Sequence, residues 1–479
     1  MSKPKSLYIT TTLPYVNSDP HIGFALEIIQ ADAIARHNRL MGREVFFSTG
    51  TDEHGQKIAQ KADESGKSRQ EYVDHYAGEF KKLSGVLDLS IDNFIRTTDK
   101  AHEDAAQHIW QLCDKAGDIY KKKYKGLYCV GCEAYLKDTD MVDGKCPNHP
   151  NTDPQEIEEE NYFFKLSNYQ QYLEDYLAQD GVILPEWRRK EAIKFVQDGL
   201  EDFSISRDTT RMDWGIPVPG DSEHVMYVWF DALTNYVSTL GWPSDDDGYF
   251  DKFWVNGDTL QTAGKDQVRF QSIMWQAMLK SAGLPATGRV LYHGFINSGG
   301  QKMSKSIGNV ISPYEMVEKY GTEATRYILL RHVHTFDDSD VTWERMDEWY
   351  TANLVNGLGN LVARVMKMAE SHLGEPIARP EADSFDTEYL EALDSYNIQK
   401  ACDFIWKKVG ELDERIASEQ PFKVIKEDEQ KGREMISELV HDLYIIGRML
   451  YPILPEANKT IKAAVLANKK PENMFGRLE

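Results

Sequence analysis

"SLYITTTLPYVNSDPHIGFALEIIQADAIARHNRLMGREVFFSTG", residues 6–50, decides the fold class. Its first piece, "SLYITTTLP" (6–14), is short, β-branched and closed by proline, which reads as a buried strand. A helix follows after "YVNS": Asp19 is positioned to cap it, Pro20 suits a first helical position, and Ile22, Leu26, Ile29, Ala33 and Leu40 recur on one face. "EVFFSTG" (44–50) then reads as a second strand, ending in the polar loop "TDEHG". Strand, helix, strand in this order is a parallel βαβ unit, whose ligands lie beyond the carboxyl ends of the strands.

Working outward, the β/α pattern breaks from about 118 to 225 into aromatics, turns and cysteines, which reads as an insertion. It returns with "HVMYVWFDAL" (224–233) and "RVLYHGFI" (289–296) as strands and "DQVRFQSIMWQAMLKSAG" as a helix between them. Beyond about 350 only long amphipathic stretches remain, such as "LVNGLGNLVARVMKMAESHL" and "ISELVHDLYIIGRML", so the C-terminal part is an all-α bundle with a linker near "GEPIARPEADS".

With 479 residues, 41% hydrophobic and 28% charged, the chain has room for about three globular domains. It contains no apolar run of membrane-spanning length and begins without the apolar core of a signal peptide, so a cytoplasmic protein with no membrane partner is expected. The asparagine of "NKT" at 458 is then an idle glycosylation match. A formal charge of −22 opposes non-specific nucleic-acid binding, though "KKKYK" (121–125) and "WRRK" (187–190) are candidates for a local basic face.

Three strings carry chemistry. At "HIGF" (21–24), a helix N-terminus presents unpaired N–H groups to an anion, His21 stands where a phosphate would be stabilised, and Gly23 lets a ring or backbone approach closely. Neither a P-loop nor a GxGxxG string follows the first strand. "GGQKMSKSIGN" (299–309) follows a predicted strand and sets Lys302 and Lys305, with Ser304, in a glycine-flanked loop. Such cations can neutralise charge developing on a transferring phosphoryl group and its pyrophosphate leaving group. "CVGC" (129–132) and "CPNH" (146–149) form two knuckles 13 residues apart. Cys129, Cys132, Cys146 and His149 can close a tetrahedral structural zinc shell, while Cys113 and Cys402 read as buried small residues.

"PHIGF" and "KMSKS" resemble the two signatures of the class I aminoacyl-tRNA synthetases, and "LPYVNSDPHIG", "GTDEHG", "YVWFDAL" and "GKD" are similar to the methionyl-tRNA synthetase family. The resemblance implies an α/β, Rossmann-type parallel-sheet catalytic domain over 1–117 and 226–325. It also implies a connective insertion with a zinc knuckle over 118–225, a linker region over 326–355 and an α-helical anticodon-binding domain over 356–479. A ligase is implied that joins methionine to ATP as adenylate and then to its tRNA, the initiator tRNA included, with Mg²⁺ on the phosphates and structural zinc.

Carried over by residue, the methionine side chain would be surrounded by Leu13, Tyr15, Trp229, Ala232 and Tyr236, with Asp52 on its ammonium. His21, Gly23, Lys302, Ser304 and Lys305 would serve ATP, and His21, Lys302 and Lys305 catalysis. Asn360 and Arg364, four apart on one helix face, with Phe422, would meet the anticodon. This chain departs from the family at Phe24, Gln267, Gln271 and Phe422, where a His, often an Ile, a His and a Trp are usual. A synthetase for cysteine or a branched amino acid, and a paralogue without catalysis, are rival readings. A filled four-ligand zinc shell and the lack of room for an editing insertion oppose the first. Because no further domain follows the bundle, a monomer is expected.

Overall fold

The computed structural model describes residues 5–130, 134–136, 141–147, 150–303, 308–378 and 385–478. It divides into two compact units, the first comprising residues 1–19, 43–82 and 91–292, the second residues 20–42, 83–90 and 293–479.

The first unit is built on a six-stranded sheet. Its early strands are β1 (Ser6–Thr10), β2 (Glu44–Thr51) and β3 (Asn93–Arg96). The run after β3 makes β4 (Ile119–Cys129), β5 (Ala134–Leu136), β6 (Gln155–Phe164), β7 (Ile183–Leu184) and β8 (Phe203–Ser204), then β9 (Ser206–Asp208), β10 (Pro217–Val218) and β11 (Asp221–Met226). β12 (Asp258–Gly264) and β13 (Arg289–His293) return to the large sheet, whose order is β3-β2-β1-β12-β13-β7. β1 pairs in parallel with both β2 and β12, and β2 with β3. The whole of β1 is buried, as an apolar and β-branched strand between two neighbours must be. The connection order reverses beside β1, which makes the carboxyl ends of β1, β2 and β12 the crevice where such sheets take ligands.

The insertion is two antiparallel sheets, β5-β4-β6-β8 and β10-β11-β9. Here the candidate basic face is corrected. "KKKYK" lies in β4 opposite the acidic strand β6, with Lys123 across from Glu160 and Lys125 across from Glu158, and Lys121 Nζ reaches Asp221 at 2.9 Å. In "WRRK", Arg188 pairs with Glu191 at 2.6 Å and Arg189 with Glu186 at 2.7 Å. Most of the cations in both runs thus face carboxylates within the fold, which weakens their pull on a polyanion.

"HVMYVWFDAL" is also corrected. β11 stops at Met226, and Val228–Leu233 is a helix with Tyr227 at its N-cap. A short, mostly buried and mostly apolar run has no periodicity to tell strand from helix, and here both occur in ten residues.

In the second unit, the helix Ile22–Leu40 is buried at Ile22 and from Ala25 to Asn38, far more than the one face its pattern marks. A helix buried all round must pair its charges. Asp32 accepts from Arg36 Nε at 2.8 Å, from the N–H and hydroxyl of Ser90 at 2.7 and 2.6 Å, and pairs with Arg326 at 2.7 Å. Burial alone would raise the Asp32 carboxyl, but the two guanidinium groups and Ser90 outweigh it and hold it below the usual range. Arg326, wholly buried, also donates to the carbonyls of Ile453 and Pro452, at 2.9 and 3.2 Å, and so ties this helix to the C-terminal bundle. That bundle includes the long helices Asn360–His372, Ile398–Glu419 and Glu429–Met449, as the amphipathic pattern predicts. The short sheet strands β14 (Ile296–Ser298), β15 (Gln301–Lys302) and β16 (Ser339–Val341) precede it. Among the described residues no helix is long and apolar enough to cross a membrane.

Candidate active site

In the first unit, Leu13 and Tyr15 follow β1, Asp52 follows β2, and Gln267 follows β12, so these pocket candidates collect at the carboxyl ends of adjacent strands. The backbones of Tyr15 and Asp52 form a β-bridge. Asp52 N donates to Pro14 O at 3.0 Å and accepts at its carbonyl from Val16 N at 3.2 Å. The two loops therefore move as one.

The rest of "TDEHG" is held by side chains that sequence reading did not single out. Glu53 is wholly buried and accepts from Arg96 at 2.7 and 2.8 Å, from Thr51 Oγ1 at 2.6 Å and from Thr98 Oγ1 at 2.6 Å. Its N–H donates to Thr97 Oγ1, and its carbonyl accepts from Trp214 Nε1 at 2.6 Å. His54 Nδ1 lies 2.7 Å from Asp231 of the helix Val228–Leu233, and the other Asp231 oxygen lies 2.8 Å from His102 Nε2. Burial alone would depress the His54 imidazole; the Asp231 carboxylate overcomes this and raises it above its ordinary value.

The same helix carries Trp229, half-buried and stacked on Phe270 with ring centres 3.9 Å apart and planes 12° from parallel, and the buried Ala232. Tyr236, one turn on and also buried, accepts a 2.7 Å hydrogen bond from Gln271 Nε2. Aromatic faces and an aliphatic floor suit a side chain that offers shape and a soft sulfur rather than strong hydrogen bonds.

In the second unit, His21 rather than Asp19 caps the helix, a correction to the expected cap. Its Nδ1 accepts from Gly23 N–H at 3.0 Å, and Pro20 lies outside the helix. This requires a glycine at 23, because a Cβ there would stand 2.8 Å from the His21 ring. An accepting Nδ1 leaves the neutral ring's proton on Nε2, as a donor. Ile22 N–H bonds to Ile311 O at 3.2 Å, which brings the start of this helix beside the chain that leaves the lysine-rich loop. That loop is entered through a β14–β15 hairpin in which Asn297 pairs with Lys302. Gly299 and Gly300, at φ of 63° and 76°, form the two-residue turn that only such backbones favour. Ser304 and Lys305 lie outside the described residues.

One turn into the helix, buried Glu27 meets His293 Nε2 at 2.9 Å, while His293 Nδ1 faces Gly294 O at 2.8 Å. A carbonyl only accepts, so Nδ1 carries a proton and the His293 ring is fixed between Glu27 and its own main chain.

Residues 7–158 and 149–366 match the family described as "tRNA synthetases class I (M)". The chain belongs to this family. Class I synthetase relatives include the methionine–tRNA ligase of Rhizobium meliloti, 41% identical over 95% of this chain and 91% of that protein. Another is the methionine–tRNA ligase of Caldanaerobacter subterraneus, 40% identical over 95% and 73%. A solved Mycobacterium tuberculosis methionyl-tRNA synthetase in complex with methionyl-adenylate superposes with a TM-score of 0.89 at 34% identity, over 100% of this chain and 98% of that one.

As a class I synthetase, the chain places its remaining candidates as follows. Asn360 opens the helix Asn360–His372, and Arg364 on the same helix pairs with Asp413. Phe422 is 41% exposed at the start of the helix Pro421–Glu427. Cys129 and Cys146 are both buried; Cys132 and His149 lie outside the described residues, and among the described residues no group of three or more metal-binding side chains occurs. Cys113 and Cys402 are buried as expected, and burial pushes the Cys113 thiol up to about 12.

Proposed function

We propose that this chain activates methionine with ATP and transfers it to the tRNA that carries methionine, the initiator included. The reading is supported above all by the His54–Asp231 contact, which links the loop of Asp52, itself bridged to Tyr15, to the helix that carries the Trp229–Phe270 stack. Asp52 takes the α-ammonium, and Leu13, Tyr15, Trp229, Ala232 and Tyr236 enclose the thioether side chain. The methionine carboxylate attacks the α-phosphorus of ATP; the bond to the bridging oxygen breaks and pyrophosphate leaves. A hydroxyl of the tRNA's terminal adenosine then attacks the carbonyl carbon and releases AMP.

No side-chain nucleophile is needed, so rate comes from positioning and charge stabilisation. His21 donates from Nε2 to phosphate oxygen at the positive end of its helix, Gly23 keeps the approach open, and Lys302, Ser304 and Lys305 meet the charge that develops on the leaving group. Mg²⁺ accompanies the nucleotide phosphates.

The donor set of Cys129, Cys132, Cys146 and His149 fits zinc in number and chemistry, and Cys129 and Cys146 are buried in a segment that is otherwise mostly exposed. Bound there, zinc would brace the insertion. Asn360, Arg364 and Phe422 read the anticodon, and the protein acts as a cytoplasmic monomer.

Methionine-dependent ATP–pyrophosphate exchange, run against each of the twenty amino acids, tests the reading. Exchange with methionine alone is expected; exchange with another amino acid, or with none, overturns it.

A further inference from the structure

Asp231 stands at the centre of a buried chain of hydrogen bonds that neither step of the reaction uses. One of its oxygens takes His54 Nδ1 at 2.7 Å and the other takes His102 Nε2 at 2.8 Å, and His102 Nδ1 lies 2.9 Å from Ser238 Oγ. Asp231 and His102 are wholly buried, and His54 is 4% exposed. Three of its members adjoin pocket residues in the chain. His54 is two residues beyond Asp52, Asp231 lies between Trp229 and Ala232, and Ser238 is two residues beyond Tyr236. His102, on the helix Lys100–Lys115, supplies a fixed post against which both are set.

We propose that Asp231 is a positioning residue for the amino-acid pocket: by holding His54 and His102 on its two oxygens, it sets the separation between the Asp52 carboxylate and the Trp229–Tyr236 wall. The inference rests on the methionine-activating reading. A substrate gripped at its ammonium and at its side chain is selected by the distance between the two grips, and a pocket that drifts by less than an ångström loses affinity before it loses chemistry. Asparagine at 231 carries no charge and offers one acceptor and one donor in place of two acceptors, so a protonated His54 loses its ion pair and one imidazole must change tautomer to keep a contact.

The chain is charged. Burial would raise the Asp231 carboxyl, but His54 and His102 hold it below the usual carboxylate range. The groups facing His54 are Asp231 from the wall helix, Glu103 from the helix of His102, and Glu53 of its own loop, which Arg96 neutralises. His54 is raised, so its ion pair with Asp231 is complete below the ordinary imidazole value of about 6.5 and is lost as pH climbs through the raised one. KM for methionine therefore rises on the alkaline side of that transition.

The test is Asp231→Asn in the full chain, assayed by pyrophosphate exchange. KM for methionine is expected to rise by about ten- to a hundredfold, with KM for ATP held within about twofold and kcat within about threefold. The alkaline rise of KM for methionine should vanish. A folded variant with unchanged KM for methionine, or with both KM values raised alike, overturns the inference. Where Asp231→Asn does not fold, as judged by a thermal melt, His102→Gln leaves the His54–Asp231 pair and should raise KM for methionine by about threefold, ATP unaffected; no rise there is equally fatal. Absence of methionine exchange in the unaltered protein overturns the functional reading together with this one, whereas normal exchange with an unmoved variant overturns this one alone.

Discussion

The loop "TDEH" and the helix start "HIGF" are each four residues long, and they are held in opposite ways. In the first, Glu53 and His54 are buried and their side chains engage partners on other elements, from Arg96 to Asp231. In the second, an exposed imidazole caps its own helix, and a main-chain bond from Ile22 reaches Ile311. On the proposed reading the clamped loop serves amino-acid selection, which depends on a fixed shape, and the helix end serves phosphate transfer, which needs donors that can meet changing charge.

The contrast can be broken most sharply on the clamped side. Glu53→Ala leaves the Arg96 guanidinium without its bidentate partner, which should cost about 3 kcal/mol of stability. This is the low end for a broken buried pair, because Arg96 keeps Asp74. A denaturant titration with an unchanged midpoint would show that the clamp is ornamental. On the other side, Lys305→Ala should slow adenylation by about 10² to 10³ while leaving stability and KM for methionine in place. Unchanged methionine-dependent exchange sinks its assignment.

Asp52→Asn separates recognition from clamping, since the loop keeps its backbone bridge to Tyr15. Loss of a charged contact should reduce kcat/KM for methionine by roughly 10- to 100-fold, equivalent to about 1.5–3 kcal/mol, seen mainly in KM. The smallest change is expected for Phe24→His. With the cap made by His21 and the loop lysines intact, the exchange rate should move by less than one hydrogen bond is worth, under about 1.5 kcal/mol. A large gain would mean that Phe24 handicaps the enzyme and would favour a protein that binds without catalysing.

The parallel sheet was legible because its signal is local: the βαβ order of residues 6–50 leads directly to it. "HIGF", "KMSKS" and the cysteine knuckles could be proposed as sites for the same reason, since each gathers its groups within a few residues. What escaped was long-range. Nothing near Glu53 announces Arg96, 43 positions on, and nothing near His54 announces Asp231, 177 positions on. The basic strand "KKKYK" misled for the same reason, since its acidic counterpart β6 begins about thirty residues later. The Asp19 cap failed on a finer scale: a histidine two residues further along reached the same unpaired N–H first.

The bond from Ile22 N–H to Ile311 O carries a lesson of another kind. Both partners are peptide groups, so apart from proline at position 22 no codon change can delete either one. Residues 22 and 311 can drift through other side chains while the start of the first helix and the chain beyond the lysine-rich loop, almost three hundred positions apart, stay joined. A lineage could retune everything around that junction, as Phe24 already exemplifies, and still inherit the geometry on which the chemistry depends.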